Sequence, residues 1–232
     1  CDNQMNIISH FTRESKNMPL NNNNITSIYE DTQKQIWIGS KYGVNKINLR
    51  ENEVLSFTSE NSKLRNNTVR CLVEWQGKLL VGTFDGIFAL DPESGQIVKV
   101  AGYDDINHSL SHYSIYAFCV DHDHTLWVGT FAGGINSLNK FTNRFVLHRP
   151  EDELNIRTGI YGAITYESPS NLWIATEGYG LLNYNYQTNT SHYYLIDPSA
   201  HFAFNTNIIK SVFYEDGYVW CGTTKGEIYK FN

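Results

Sequence analysis

The chain has 232 residues, 41% hydrophobic, 14% aromatic and 18% charged, a composition that excludes disorder and suffices for one sizeable core or two small ones. Its 18 basic and 24 acidic residues give a net charge of −6 with no Lys/Arg-rich run, which excludes the electrostatic footprint of a nucleic-acid binder. No stretch approaches the ~18 uninterrupted apolar residues of a membrane-spanning helix, and the opening residues Cys1-Asp2-Asn3-Gln4 do not resemble a signal sequence.

The 25 asparagines imply many turns. The cysteines, Cys1, Cys71, Cys119 and Cys221, show no C-x-x-C spacing, so neither a metal nor a redox motif is expected. Cys71, Cys119 and Cys221 sit among apolar residues and read as small core side chains. Cys1 suits either a lipid attachment point or an arbitrary boundary, and the missing initiator methionine suits either a processed product or a segment of something longer.

In chain order, IISHFT from Ile7 reads as a strand. ITSIYED from Ile25 alternates apolar and polar residues, and after a short polar turn comes a second strand, IWIGS from Ile36. A glycine-ended link leads to VNKIN from Val44, and an Asn-rich turn to VLSF from Val54. The same meander then recurs from Val69, Ile115, Tyr161 and Ile209, and no window shows helical periodicity. The second-strand positions Gly39, Gly82, Gly129, Ala175 and Gly222 are spaced by 43, 47, 46 and 47 residues, the period of a four-stranded propeller blade.

The expected fold is therefore an all-β, five-bladed β-propeller. It forms a single domain over 1–232, with repeats at about 25–57, 69–100, 115–148, 161–195, and 209–232 plus 7–12. The chain opens on what resembles a fourth strand and stops after a third, so the N-terminal strand is expected to complete the last blade and close the ring, hiding sheet edges. Excision of five repeats from a larger ring is the competing reading.

Aligning the units separates framework from function. Trp37, Trp127, Trp173 and Trp220, with Leu80 in the remaining unit, read as blade-packing residues. Ser27, Cys71, Ala117, Ala163 and Ser211 form a uniformly small slot, and Gly43, Gly86, Gly134, Gly180 and Gly226 permit the tight turn into the third strand. The slot before the small one varies: Thr26, Arg70, Tyr116, Gly162 and Lys210. It opens on the face carrying the interblade segments and the loops between strands two and three. There Arg65, Tyr113, Phe131, Arg157, Tyr179 and Lys225 add exposed aromatics and cations, the mixture that stacks on sugar rings and meets their hydroxyls. The ligand-binding candidates are thus Arg70, Tyr116, Lys210, Arg65, Tyr113, Phe131, Arg157, Tyr179 and Lys225. His122 and His124 in DHDHT fall in a hairpin turn whose alternate residues cannot readily close a tetrahedral metal shell, so no metal and no cofactor is expected.

LRNNTV from Leu64 and LSHYSI from Leu110, each a leucine and a short polar stretch ending in a strand-one hydrophobe, then an acidic turn, and then L-W-V-G-T and G-G-I-N from Leu126 to Asn136, resemble the two-component regulator propeller repeat. Unit two departs from the pattern by lacking the Trp, and unit four by carrying Ala175 for the Gly. The resemblance implies an extracytoplasmic, periplasmic sensor of a hybrid two-component system, of the kind gut Bacteroidetes use to detect polysaccharide breakdown products, with neighbouring sensor domains as partners. The expected function is non-catalytic binding of an oligosaccharide. The alternatives are an interaction scaffold and a five-bladed glycoside hydrolase; the latter needs two carboxylates about 5–10 Å apart, which the axis-proximal slot lacks.

Overall fold

The structure is a computed structural model that describes residues 7, 9–101, 110–141, 144–150, 159–195 and 204–232. Among these there is no helix; the chain folds into five antiparallel sheets. The first is β1 (Ile25–Glu30), β2 (Ile36–Ser40), β3 (Gly43–Asn48) and β4 (Glu53–Phe57), and the second is β5 (Val69–Trp75), β6 (Lys78–Thr83), β7 (Gly86–Leu90) and β8 (Ile97–Ala101). The third is β9 (Ile115–Val120), β10 (Leu126–Thr130), β11 (Ile135–Leu138) and β12 (Val146–His148), and the fourth is β13 (Ile160–Glu167), β14 (Asn171–Glu177), β15 (Leu181–Asn185) and β16 (Thr190–Tyr194). The fifth holds three strands, β17 (Ile209–Glu215), β18 (Tyr218–Thr223) and β19 (Ile228–Phe231). Each sheet is a meander paired in sequence order, the blade of a β-propeller.

One part of the expectation is corrected. Ile7 and Ser9–Thr12 lie in no strand, Ile8 lies outside the described residues, and among the described residues the last sheet has three strands. Phe11 instead joins Met18 and Leu20 over Ile38 and Ile47 of the first sheet. Of this stretch Phe11 packs on the sheet, while Ile7 is exposed.

The turns carry the blade's internal logic. In the first hairpin of unit one, the Asp31 carboxylate accepts the N–H groups of Gln33 (3.0 Å) and Gln35 (2.8 Å) on one oxygen and the Trp37 indole N–H (2.8 Å) on the other. Asp121 repeats this with Asp123 (3.0 Å), Thr125 (2.9 Å) and Trp127 (2.8 Å), and Glu167 accepts from Trp173 at 2.7 Å. The acidic turn therefore orients the tryptophan and satisfies a donor that burial would otherwise leave unpaired. The slot glycines all have positive φ, and at Gly43 and Gly180 a Cβ would also stand 2.2 and 2.1 Å from the carbonyl oxygens of Phe57 and Tyr194 on the fourth strand.

Contacts gather into two compact units, Cys1–Phe84 with Phe88–Lys99, and Asp85–Ile87 with Val100–Asn232. In the first unit, the Trp37 face of the first sheet packs on Leu72, Leu79, Val81, Phe88 and Leu90 of the second. In the second unit, the Trp127 face packs on Ile164, Leu172, Ile174 and Leu182, and the Trp173 face packs on Val219, Cys221, Val212 and Tyr229. First strands lie against first strands, β1 on β5, β9 on β13 and β13 on β17. The small slot follows from this approach: a Cβ on Gly39 would stand 2.4 Å from Ser27 Oγ and 2.7 Å from Val69 of the neighbouring sheet. Cys71, Cys119 and Cys221 are free thiols, the latter two in these cores, and burial pushes all three up, Cys119 to about 12 and Cys221 to about 11.

Candidate functional site

The variable slot has a structural basis that the sequence did not show. In all five sheets the pairing of first and second strands shifts register at this point, between Ile25 and Ser27, Val69 and Cys71, Tyr161 and Ala163, Ile209 and Ser211, and, on the partner strand, Gly129 and Thr130. Thr26, Arg70, Tyr116, Gly162 and Lys210 are the extra residues of five β-bulges. A bulged residue is released from the ladder and re-aims its side chain, so this slot can vary while its neighbours cannot.

The loops between strands two and three join the interblade segments at the same end of the blades. Gly43 N–H donates to Asn67 C=O (2.7 Å), Ala132 N–H to Gly159 C=O (3.1 Å), and Gly178 and Gly180 N–H to Asn207 C=O (2.9 and 2.8 Å). Phe131 also bridges Ile160, and Glu177 bridges Ile208.

At this end of the second unit four rings assemble. His112 stacks on Tyr113 with centroids 4.6 Å apart and planes 16° from parallel, and lies 5.7 Å from Phe131, which in turn lies 6.0 Å from Tyr116. Phe131 and Tyr113 are 42% and 39% exposed. Ser114 N–H donates to His112 Nδ1 at 3.0 Å, so the neutral ring carries its proton on Nε2. Burial lowers the His112 pKa and favours that neutral form. The bulge on the next first strand is Gly162, and on the one after it Lys210, whose ammonium donates to Glu177 Oε1 at 2.5 Å. A Cβ on Gly162 would meet nothing closer than 4.0 Å, one such atom being the same Glu177 oxygen. The three bulges thus set an aromatic platform, an open glycine position and an ion pair along three adjacent first strands.

The remaining candidates lie elsewhere. In the first unit the Arg70 guanidinium sits 4.2 Å from the Phe84 ring centroid, and Arg65 is exposed on the interblade segment. Lys225 Nζ donates to the Asn205 carbonyl at 2.8 Å, and Tyr179 is tied through its N–H to Thr176 Oγ1 at 3.1 Å. Arg157 lies outside the described residues. Lys210 and Lys225 are therefore occupied by partners within the chain, which the cation count of the sequence could not reveal. Reasoning from the sequence undervalued His112, which packs at the centre of the ring cluster, and Glu177, the partner of Lys210. The DHDHT turn serves structure: Asp121 holds Trp127, and His122 stacks on Tyr166 at 6.1 Å. Among the described residues no group of three or more His, Cys, Asp or Glu is placed to hold a metal.

Comparison with known proteins agrees with this architecture. Residues 19–42 and 109–132 match the two component regulator propeller family. The chain is 24% identical over 173 residues to histidine kinase P4 of Formosa agariphila, covering 72% of this chain and 13% of that protein. It superposes on the extracellular domain of a putative one component system from B. thetaiotaomicron with a TM-score of 0.74 at 18% identity, covering 90% of this chain and 27% of that one. A second extracellular domain from B. thetaiotaomicron, of a putative hybrid two component system, gives 0.59 at 18% identity, covering 94% and 35%. The chain thus spans a minor part of the length of each of these proteins. No described helix is long and apolar enough to cross a membrane. The acidic-turn and L-W-V-G-T signatures and the blades they build agree with the match of these two segments to the two component regulator propeller family.

Proposed function

We propose that the chain is the ligand-binding propeller of an extracytoplasmic sensor and that it binds an oligosaccharide without chemical conversion. The observation that carries this reading is the His112, Tyr113, Tyr116 and Phe131 cluster, gathered at a β-bulge with two rings well exposed. Apolar ring faces suit the C–H face of a sugar, while the His112 Nε2–H and the Lys210–Glu177 pair suit its hydroxyls. The similarity to extracellular domains of signalling systems supports a sensing role and an extracytoplasmic location. Glu177 is engaged by Lys210, which favours positioning over acid catalysis.

The test is a glycan array followed by calorimetry on the 232-residue chain. Loss of one aromatic contact is worth ~0.5–1.5 kcal/mol, so Phe131→Ala and Tyr116→Ala are each expected to weaken a bound glycan about two- to tenfold, with no cleavage products by mass spectrometry. A glycan whose affinity is unchanged by substitutions at Tyr116, Phe131 and Lys210 places the site elsewhere. Products that disappear on replacing Glu177 would establish a hydrolase.

A further inference from the structure

The glycines of the chain supply a control for one position among them. Gly43, Gly134, Gly180 and Gly226 are required by the backbone, since each holds a positive φ. Gly39, Gly129, Gly133 and Gly222 have ordinary φ but are required by packing: a Cβ there would stand 2.4, 2.4, 2.6 and 2.6 Å from a neighbouring atom. Gly162 answers to neither requirement. Its φ lies outside the left-handed region, and a Cβ on it would meet nothing closer than the Ala175 carbonyl oxygen and Glu177 Oε1, both at 4.0 Å. In the other sheets Thr26, Arg70, Tyr116 and Lys210 fill the same bulge slot. A glycine inside a strand weakens it and marks places where a ligand approaches the backbone closely.

What surrounds this open position is complementary to one chemical group. The Glu177 oxygen nearest to it is the one that accepts from the Lys210 ammonium at 2.5 Å. Both side chains remain partly open to solvent, Lys210 at 48% and Glu177 at 25%. A carboxylate and an ammonium side by side offer an acceptor and a donor together, the complement of an amide. Phe131 pairs with Ile160, which pairs with Glu177, so the exposed ring and the carboxylate rise from backbones two strand spacings apart, roughly 10 Å. We infer that this recess selects N-acetylated sugars. The acetamido methyl fills the space that Gly162 leaves, its N–H donates to Glu177, its C=O accepts from Lys210, and the glycan continues over the Phe131 ring. A ring hydroxyl in the same place leaves the recess to water, and a uronate carboxylate meets Glu177 as a like charge. The inference rests on the glycan reading of this site and adds the substituent that the site reads.

Chitotetraose and cellotetraose differ only in an acetamido or a hydroxyl group on each ring, so the pair isolates that substituent. Calorimetry on the 232-residue chain is expected to show chitotetraose bound at least about tenfold more tightly, the worth of one charge-assisted hydrogen bond. Gly162→Thr installs the residue that unit one carries in this slot. It should weaken chitotetraose about tenfold and cellotetraose less than about twofold, while Tm stays unchanged or rises because an unneeded glycine has been removed. Phe131→Ala should weaken both sugars alike. Chitotetraose bound no more tightly than cellotetraose, or a Gly162→Thr chain that keeps the preference, overturns the inference; the glycan reading then still stands if other sugars on the array are lost with Phe131→Ala. A clearly lowered Tm in Gly162→Thr also overturns it, since glycine would then be a requirement of the fold. An array on which no glycan binds removes the glycan reading and this inference together.

Discussion

Replacing Asp121 by Ala probes the carboxylate that joins the acidic turn to the blade core. Asp121 is 5% exposed and accepts three hydrogen bonds, from the Trp127 indole at 2.8 Å and the turn N–H groups of Asp123 and Thr125 at 3.0 and 2.9 Å. Trp127 is 2% exposed, so its indole N–H loses its partner out of reach of solvent, at ~1–3 kcal/mol. The turn amides can rehydrate and lose ~0.5 kcal/mol each, near the lower end for a net hydrogen bond. The sum is about 3 kcal/mol, which for a chain of this size lowers Tm by ~6–12 °C. Calorimetric melting of Asp121→Ala, Trp127→Phe and the double variant should show a coupling of ~1–3 kcal/mol, because each single change strands the other's buried group. A shift under ~0.5 kcal/mol for Asp121→Ala, or strictly additive variants, would refute the assignment and leave the acidic residue a plain solvated turn.

Two further outcomes are expected. Gly180 and Gly226 occupy the same slot at φ of +68° and +80°, but a Cβ at Gly180 would stand 2.1 Å from Tyr194 C=O while Gly226 has open space. Thermal melts should therefore show Gly226→Ala costing only ~1 kcal/mol of left-handed backbone strain and Gly180→Ala clearly more; equal costs would contradict the close approach. Burial lowers the His148 pKa, with the ring packed 4.9 Å from Trp127 and in contact with Ser137 Oγ at 2.8 Å. The unfolded chain then binds the proton more readily than the native one, so His148 leaves stability intact above about pH 6.5 and erodes it as pH falls below that. Tm measured from pH 7 to pH 5 should decline less steeply in His148→Gln; an unchanged slope would exclude His148 as the source.

The sequence alone determined the repeat, its four-strand rhythm and the blade-packing residues, because each blade solves the same local problem. Alternation sets faces, glycine sets the tight turn at Gly43 and its equivalents, and Trp37, Trp127 and Trp173 mark faces that meet a neighbouring sheet, whereas Trp220 in the same slot is 38% exposed. It also singled out the variable slot, since a position released from packing is free to differ between units. Only the tertiary structure showed why that slot is free, a β-bulge in every sheet, because bulges are defined by pairing register between strands. Likewise, the sequence counted Lys210 and Lys225 as available cations. Their partners, Glu177 and the Asn205 carbonyl, are 33 and 20 residues away along the chain, and a charge pair formed across that separation leaves no local signal. The segment around Phe11 shows the same limit from the other side: alternation places one apolar face but does not choose the surface that covers it, and packing chose the first sheet.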